Sequence, residues 1–302
     1  MSSHADASVH QAPAGGEIPG RKGLWRLVLE VFMEHRGALV GVGIVVFMVL
    51  FSFVGPLLYH TDQVHTNLAQ ASQAPSRAHL LGTNEVGYDQ LGRLMLGGQT
   101  SLEVGFAAAI LATVIGTLWG AVSGFTGGAL DAVMMRVVDG FIAIPTLFLL
   151  LYLTTVFQAN TAMLILVIGF VAWLGPARLV RGEALKLRVL EYVDAVRMMG
   201  GSRRRIVGQH IIPNTIGTVM VNMTFQIADA VLAVAALSFL GLGIPPPAAN
   251  WGGMLSDGIN YSYAGYWWLI YPPGLVIVLT VAAFNFIGDG LRDAFEQRLR
   301  RD

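Results

Sequence analysis

The sequence predicts an all-α, polytopic membrane protein with six transmembrane helices. Three observations predict it. Hydrophobic residues make up 54% of the chain and charged residues only 13%, with a mean hydropathy of +0.61, whereas a soluble domain carries about 25% charge. The apolar residues are gathered into runs of the roughly 20 residues needed to cross about 30 Å of hydrocarbon. The cationic residues fall almost entirely on one side of those runs.

Taken in order, residues 1–37 form an N-terminal tail whose first 20 residues, rich in Ser, Ala, Gly and Pro, are expected to lack fixed structure. The first apolar run begins near residue 38, too far in for the core of a cleaved signal peptide. Its uncharged stretch 39–58 reads as a retained first span within a membrane domain covering 38–290. An outer loop, 60–100, leads to a second uncharged span at 104–125. The third, 140–157, follows a helical turn bearing Arg136 and Asp139. After a very short connection comes the fourth, 161–177, and then a long inner loop, 182–213. The fifth, 216–243, is apolar except for Asp229. An outer loop at 244–262 precedes the sixth, 263–287, and residues 291–302 form a C-terminal tail. None of these runs alternates in the manner of a lipid-facing β-strand, which excludes a barrel.

Cationic residues favour the cytoplasmic side of a membrane. With the N-terminus inside, seventeen of the nineteen Lys and Arg lie on inner segments, and only Arg77 and Arg93 lie on outer ones. One span more or fewer would invert every later loop and erase this bias. Both termini are therefore expected to be cytoplasmic. The zero net charge offers no field to recruit nucleic acid, and the absence of Cys excludes disulfides and thiolate metal sites.

The inner loop carries the most information. Tyr192, Ala195, Val196 and Met199 fall at i, i+3, i+4 and i+7, one apolar face of a short helix. Gly200 and Gly201 stop it. Arg203, Arg204 and Arg205 stay in water or meet anionic headgroups, and Pro213 can begin the fifth span, where its missing N–H costs nothing. Physics alone allows two readings: an amphipathic helix lying on the inner leaflet, or a helix inserted into a groove on a cytoplasmic partner.

Asp194-Ala195-Val196, then Gly200, then Ile211-Ile212-Pro213 resemble the "EAA" loop of binding-protein-dependent ABC importer permeases, with Asp in place of Glu and Val in place of the second Ala. The resemblance implies a coupling helix that docks on an ATP-binding subunit. Ala195 and Gly200 would be in close contact there and Asp194 at the rim, within a loop that also includes Glu191, Tyr192, Met199, Arg203, Ile211 and Pro213. The stretch from Gly82-Thr83-Asn84 to Gly87-Tyr88-Asp89 resembles the element before the second span in C-type dipeptide and oligopeptide permeases, Asn84 and Tyr88 departing from it. Gly127-Gly128, Asp131, Arg136, Asp139 and Pro145 match the family's entry to the third span. The run from Leu237 to Gly243, the prolines 245–247 and Asn250-Trp251-Gly252 match the end of the fifth span and the loop after it. The family often has an acidic residue where this chain has Val234; here the acidic residue, Asp229, lies more than a turn earlier.

The resemblance, over roughly residues 30–295, implies a type I ABC importer permease fold in the bacterial inner membrane. It implies half of a translocation pathway for di- or oligopeptides or a similar solute, nickel and glutathione being variants. The implied partners are a second homologous permease, two cytoplasmic ATP-binding subunits and an extracytoplasmic substrate-binding protein. The chain itself would bind no cofactor; ATP and Mg would be used by the partners.

Several residues carry two readings. Asp229 costs about 2.5–3.5 kcal/mol at mid-span on insertion scales, so it faces either a pathway, where it could meet a substrate amine, or another helix. Asp139 and Arg136, three apart, can pair on one helix, with Asp139 the alternative pathway carboxylate. Ala108, Ala112, Gly116, Gly120 and Gly124 recur every fourth residue and allow close helix approach, in this chain or with another. Trp251 and the Tyr and Trp residues after it form an outer aromatic belt, or Trp251 and its loop meet an external binding protein. No P-loop, Gly-x-Ser-x-Gly or His-Glu-x-x-His pattern occurs, so a conduit is favoured over an enzyme. The rivals are a proton-driven transporter acting through Asp229 and a non-transporting scaffold.

Overall fold

A computed structural model describes residues 24–157 and 160–299. The segment 1–20 and its expected lack of order lie outside the described residues. Within them the chain is helical, with no β-strand; the sole bridge joins Thr83 to Asp89. Four helices are long and apolar enough to cross a membrane, and two bent pairs complete six crossings when each pair counts as one.

The first element, α1 (Leu24–Glu34), buries Val28 and Val31 against Ala294 near the end of the chain. His35 then caps α2 (Arg36–Leu58), its Nδ1 accepting from the Ala38 amide at 3.0 Å. A helix N-terminus leaves amides unsatisfied, and such a cap fills one of them. Helix α2 lies against the last helix, α11 (Trp267–Leu299). A methyl group on Gly41 would come 2.6 Å from the Ala283 carbonyl, so the two backbones nearly touch.

The segment after α2 folds around Asp89. Its Oδ1 accepts from the Gly92 amide at 2.8 Å and so caps α3 (Gln90–Thr126). Its Oδ2 takes the Tyr59 hydroxyl and His79 Nδ1, both at 2.9 Å. Residues 90–100, read from sequence as loop, are therefore helix, and α3 at 37 residues is about 55 Å long.

Helix α3 is the axis of the molecule. It ends where Gly127 (φ 65°) and Gly128 (φ 62°) take positive φ, a region costly for any residue with a Cβ. Helix α4 (Gly128–Ile142) meets α5 (Thr146–Val156) at an 82° bend, where Pro145 cannot donate an amide. Helix α6 (Thr161–Ala172), capped by Asn160, bends 41° at Trp173 into α7 (Leu174–Leu187). The third and fourth spans are thus broken rods. The small-residue stripe of α3 packs on α7 of the same chain, which settles which partner it has: Gly116 faces Trp173 and Pro176, Gly120 faces Ala177, and Gly124 faces Arg181.

Helix α8 (Glu191–Met198) crosses the end of the bundle at which α3 stops, and α9 (Arg203–Phe239) runs back through a wide π turn at Val207–Ile211. The fifth span thus begins earlier than residue 216. At the opposite end α10 (Trp251–Ile259) packs between α9 and α11. The core there gathers Met48, Leu94, Leu102, Val231, Trp251 and Phe284 from α2, α3, α9, α10 and α11. Helix α11 continues to Leu299, so most of the expected C-terminal tail is helical.

Candidate coupling surface and pathway cavity

Two surfaces carry the residues singled out from the sequence: the inner loop around α8, and a cavity at Asp229. Helix α8 starts at Glu191, after extended Leu190, and stops where Gly200 adopts φ +82°. It is fastened by Val193, which is fully buried with Ile206, Ile211, Phe125, Val180 and Ala184. Arg197 stacks over the Phe125 ring at 5.1 Å, and Arg188 Nη1 donates to the Gly124 carbonyl at 3.2 Å. Both contacts tie the inner loop to the end of α3. Beside them Asp131 accepts Arg181 Nε at 2.6 Å and Nη2 at 2.7 Å, joining α4 to α7.

The opposite face of α8 is open. Met198 is 90% and Met199 78% exposed, and Tyr192, Ala195 and Gly200 are exposed beside them. Asp194 pairs with Arg197 at 2.8 Å on the surface. Glu191, Arg203 and Pro213 are exposed too. A Cβ on Gly200 would meet nothing within 4 Å. Tyr192 leans back toward the start of α9, its ring 6.2 Å from that of His210.

The apolar stripe of Tyr192, Ala195, Val196 and Met199 is open apart from part of Val196, and α8 is held to the bundle instead by Val193, with Ile206 and Ile211 beneath it. Ile211 is fully buried, so it anchors the loop and touches no partner. Asp139 does not pair with Arg136: it reaches across to Arg178 on α7, with Nη2 to Oδ1 at 2.5 Å, and so joins two spans.

Asp229 lies on α9 and is exposed, although it is mid-span and its neighbours Ala228 and Ala230 are buried. It lines a cavity of about 400 Å³ with Thr146, Leu150, Val171, Gln226 and Ala233, between α5, α6, α7 and α9. Gln226, which belongs to no motif, donates to the Ala172 carbonyl at 2.7 Å, at the bend between α6 and α7. Asp229 is the one ionisable side chain among the described lining residues. Asp139 is not among them.

Trp251 also needs correction as a contact for an external protein. It is fully buried; its indole N–H donates to the Leu94 carbonyl at 2.9 Å and its amide to Ser101 Oγ. Exposed instead are Pro245, Pro246 and Pro247 in the loop before it. Among the described residues no group of His, Asp or Glu is arranged to hold a metal.

Comparison with known proteins places this architecture. Residues 116–301 match the family described as the binding-protein-dependent transport system inner membrane component. Residues 23–75 match the N-terminal transmembrane domain of oligopeptide transport permease C. The oligopeptide transport system permease protein OppC of Escherichia coli (strain K12) is 40% identical over 286 residues, covering 94% of each chain. OppC of Bacillus subtilis (strain 168) is 38% identical over 92% of this chain and 91% of that one. The dipeptide transport system permease protein DppC of the same organism is 37% identical over 89% and 84%. Among solved structures, an inward-facing MetNI methionine ABC transporter aligns with a TM-score of 0.55 and 23% identity, over 67% of this chain and 96% of that chain. That likeness is one of fold.

Proposed function

This chain belongs to the family of binding-protein-dependent transport system inner membrane components, in its oligopeptide permease C branch, and on that premise we propose how it works. It is a multi-pass inner-membrane permease subunit that imports di- or oligopeptides, and it contributes half of the translocation pathway. Its ATP and Mg are used by two cytoplasmic ATP-binding subunits that grip α8. A second, homologous permease chain completes the pathway, and an extracytoplasmic binding protein delivers substrate to the outer loops. Both termini lie in the cytoplasm.

The observation that carries the proposal is the two-faced inner helix. One side of α8 is locked to the bundle through Val193, while the other presents Tyr192, Met198 and Met199 to solvent. Large apolar side chains exposed outside the hydrocarbon mark a partner's site, and methionine adapts to a groove. A push on Met199 reaches α3 through the Arg197–Phe125 stack. Co-expression with its transport operon partners should yield one complex containing two ATPases and a second six-helix chain, with peptide uptake that needs ATP. Peptide accumulation by this chain alone, in ATP-free vesicles under a proton gradient, would favour the secondary transporter instead.

At Asp229 the pathway would meet the substrate's amino group. A carboxylate facing lipid is costly, so its exposure on the isolated chain supports a water-filled or partner-covered surface. Asp229→Asn should lower uptake of peptides with a free amino terminus about tenfold, the weight of one charge-assisted hydrogen bond. Complex assembly should be unchanged. Equal uptake by variant and parent would remove Asp229 from the pathway.

A further inference from the structure

At the outer end of the bundle a second, smaller cavity of about 250 Å³ lies between the first turn of α3, the end of α9, the loop before residue 250 and α10. It shares no residue with the cavity at Asp229. Its polar lining comes from Arg93, Ser238, Asn250 and Asp257.

Arg93 is 6% exposed and brings five N–H donors. Its guanidinium lies over the Tyr88 ring at 4.8 Å, and Nη1 makes a long bond of 3.5 Å to the Pro247 carbonyl. Its Nε has no acceptor, and Ser238 Oγ, on a side chain equally buried, has no partner either. Buried donors without acceptors are costly, most of all charged ones. Those two atoms are sealed from the cavity as well as from water, and Arg93 meets the cavity through the small remainder of its surface, as a cation. The same cavity also carries negative charge. Asp257 stands exposed at the rim. Nearby, Glu85 Oε2 is buried without a partner; burial pushes the Glu85 carboxyl up, and the negative charge of Asp257 pushes it further. Asn250 is already engaged in capping α10.

A guanidinium and a carboxylate, close enough to act on each other's charge, line the same small cavity and match a ligand that carries both signs. The geometry points to a binding site for a zwitterion, its carboxylate on Arg93 and its ammonium on Asp257. The volume equals about eight waters, or about a dozen non-hydrogen atoms, which suits a dipeptide with free termini. The site would hold a peptide at the outer mouth, apart from the pathway cavity.

The test uses the full chain in lipid nanodiscs, without ATPase or binding protein, and labelled L-alanyl-L-alanine as the probe. One saturable site is expected, with N-acetylated and C-amidated dialanine at least tenfold weaker as competitors. Asp257→Asn, at an exposed position that leaves the fold alone, should weaken binding at least tenfold and remove the penalty of acetylation. Asp229→Asn should not change it. Absence of saturable binding would mean that the cavity holds only water and would overturn the site. So would binding indifferent to Asp257→Asn and to capping, or binding lost with Asp229→Asn. Because binding is read without transport, its failure leaves the importer function standing, and a failed transport assay leaves the site standing.

Discussion

Gly120→Leu should prevent recovery of folded protein. A Cβ at this position would run into the Ala177 carbonyl oxygen and lie 2.8 Å from the Arg181 amide nitrogen and 3.0 Å from Val180 Cβ. Two of these three are backbone atoms of α7, which no rotamer change can move aside. The same holds a turn away on either side: a Cβ on Gly116 would sit 2.7 Å from the Trp173 carbonyl, and one on Gly124 2.6 Å from that of Arg181. Between membrane helices no hydrophobic force compensates for lost packing, and small residues at four-residue spacing are what allow the contact. Overpacking typically costs about 1–3 kcal/mol, and a clash against backbone lies at or beyond the upper end of that range. Gly182, on α7 itself, has open space around it and supplies the control. Gly182→Leu should elute from a sizing column in detergent like the parent, whereas Gly120→Leu should appear in the void volume. A Gly120→Leu protein that elutes and melts like the parent would show that the α3–α7 contact is wrongly placed.

The second large effect is expected at Gly200, on transport and not on folding. With φ at +82° this position suits glycine, and any other L-residue there costs about 1–2 kcal/mol, asparagine least. Around it is empty space, next to exposed Met199. Gly200→Asn and Gly200→Trp share the backbone strain but differ in bulk. Both should remain monodisperse. Gly200→Asn should still co-purify with its ATPases, while Gly200→Trp should lose them at least tenfold and with them ATP-dependent uptake. Loss in both variants would indict the backbone rather than the docking face. Retention in both would place the ATPase elsewhere.

Much of this architecture was legible in the sequence for identifiable reasons. The spans are long uninterrupted apolar runs, and the small-residue stripe of α3 is a strict repeat of four whose consequence is local. Gly200 ends α8 as its conformational freedom predicts. What could not be read depends on contacts distant in sequence. The apolar stripe of α8 has a helical period, but its anchor, Val193, stands off that stripe, and Ile206 and Ile211, which bury it, lie beyond the helix. Asp139 had a cation three residues away in Arg136 but found Arg178, since α4 and α7 lie side by side. The early start of α3 did have a signal, the cap residue Asp89, but that residue was absorbed into the motif of an outer loop. Trp251 was likewise counted with the aromatic belt, although Asn250 before it is a strong helix-start residue and its indole is held deep in the core.

The elbow between α4 and α5 restricts how the protein can be insulated. Ala143, Ile144 and Pro145 leave the helix, and the Ile144 amide, which would have bonded the Gly140 carbonyl, goes to that of Phe141, the acceptor Pro145 cannot serve. Residues 142–147 are exposed on the isolated chain. Bare peptide groups are not tolerated against acyl chains, and α5, with 11 residues, reaches only about 16 Å, roughly half of the hydrocarbon thickness. The third crossing therefore cannot be sheathed by lipid along its length. At the elbow it must be wetted or roofed by another polypeptide, which fixes one side of this molecule as its inward-turned, lipid-free flank.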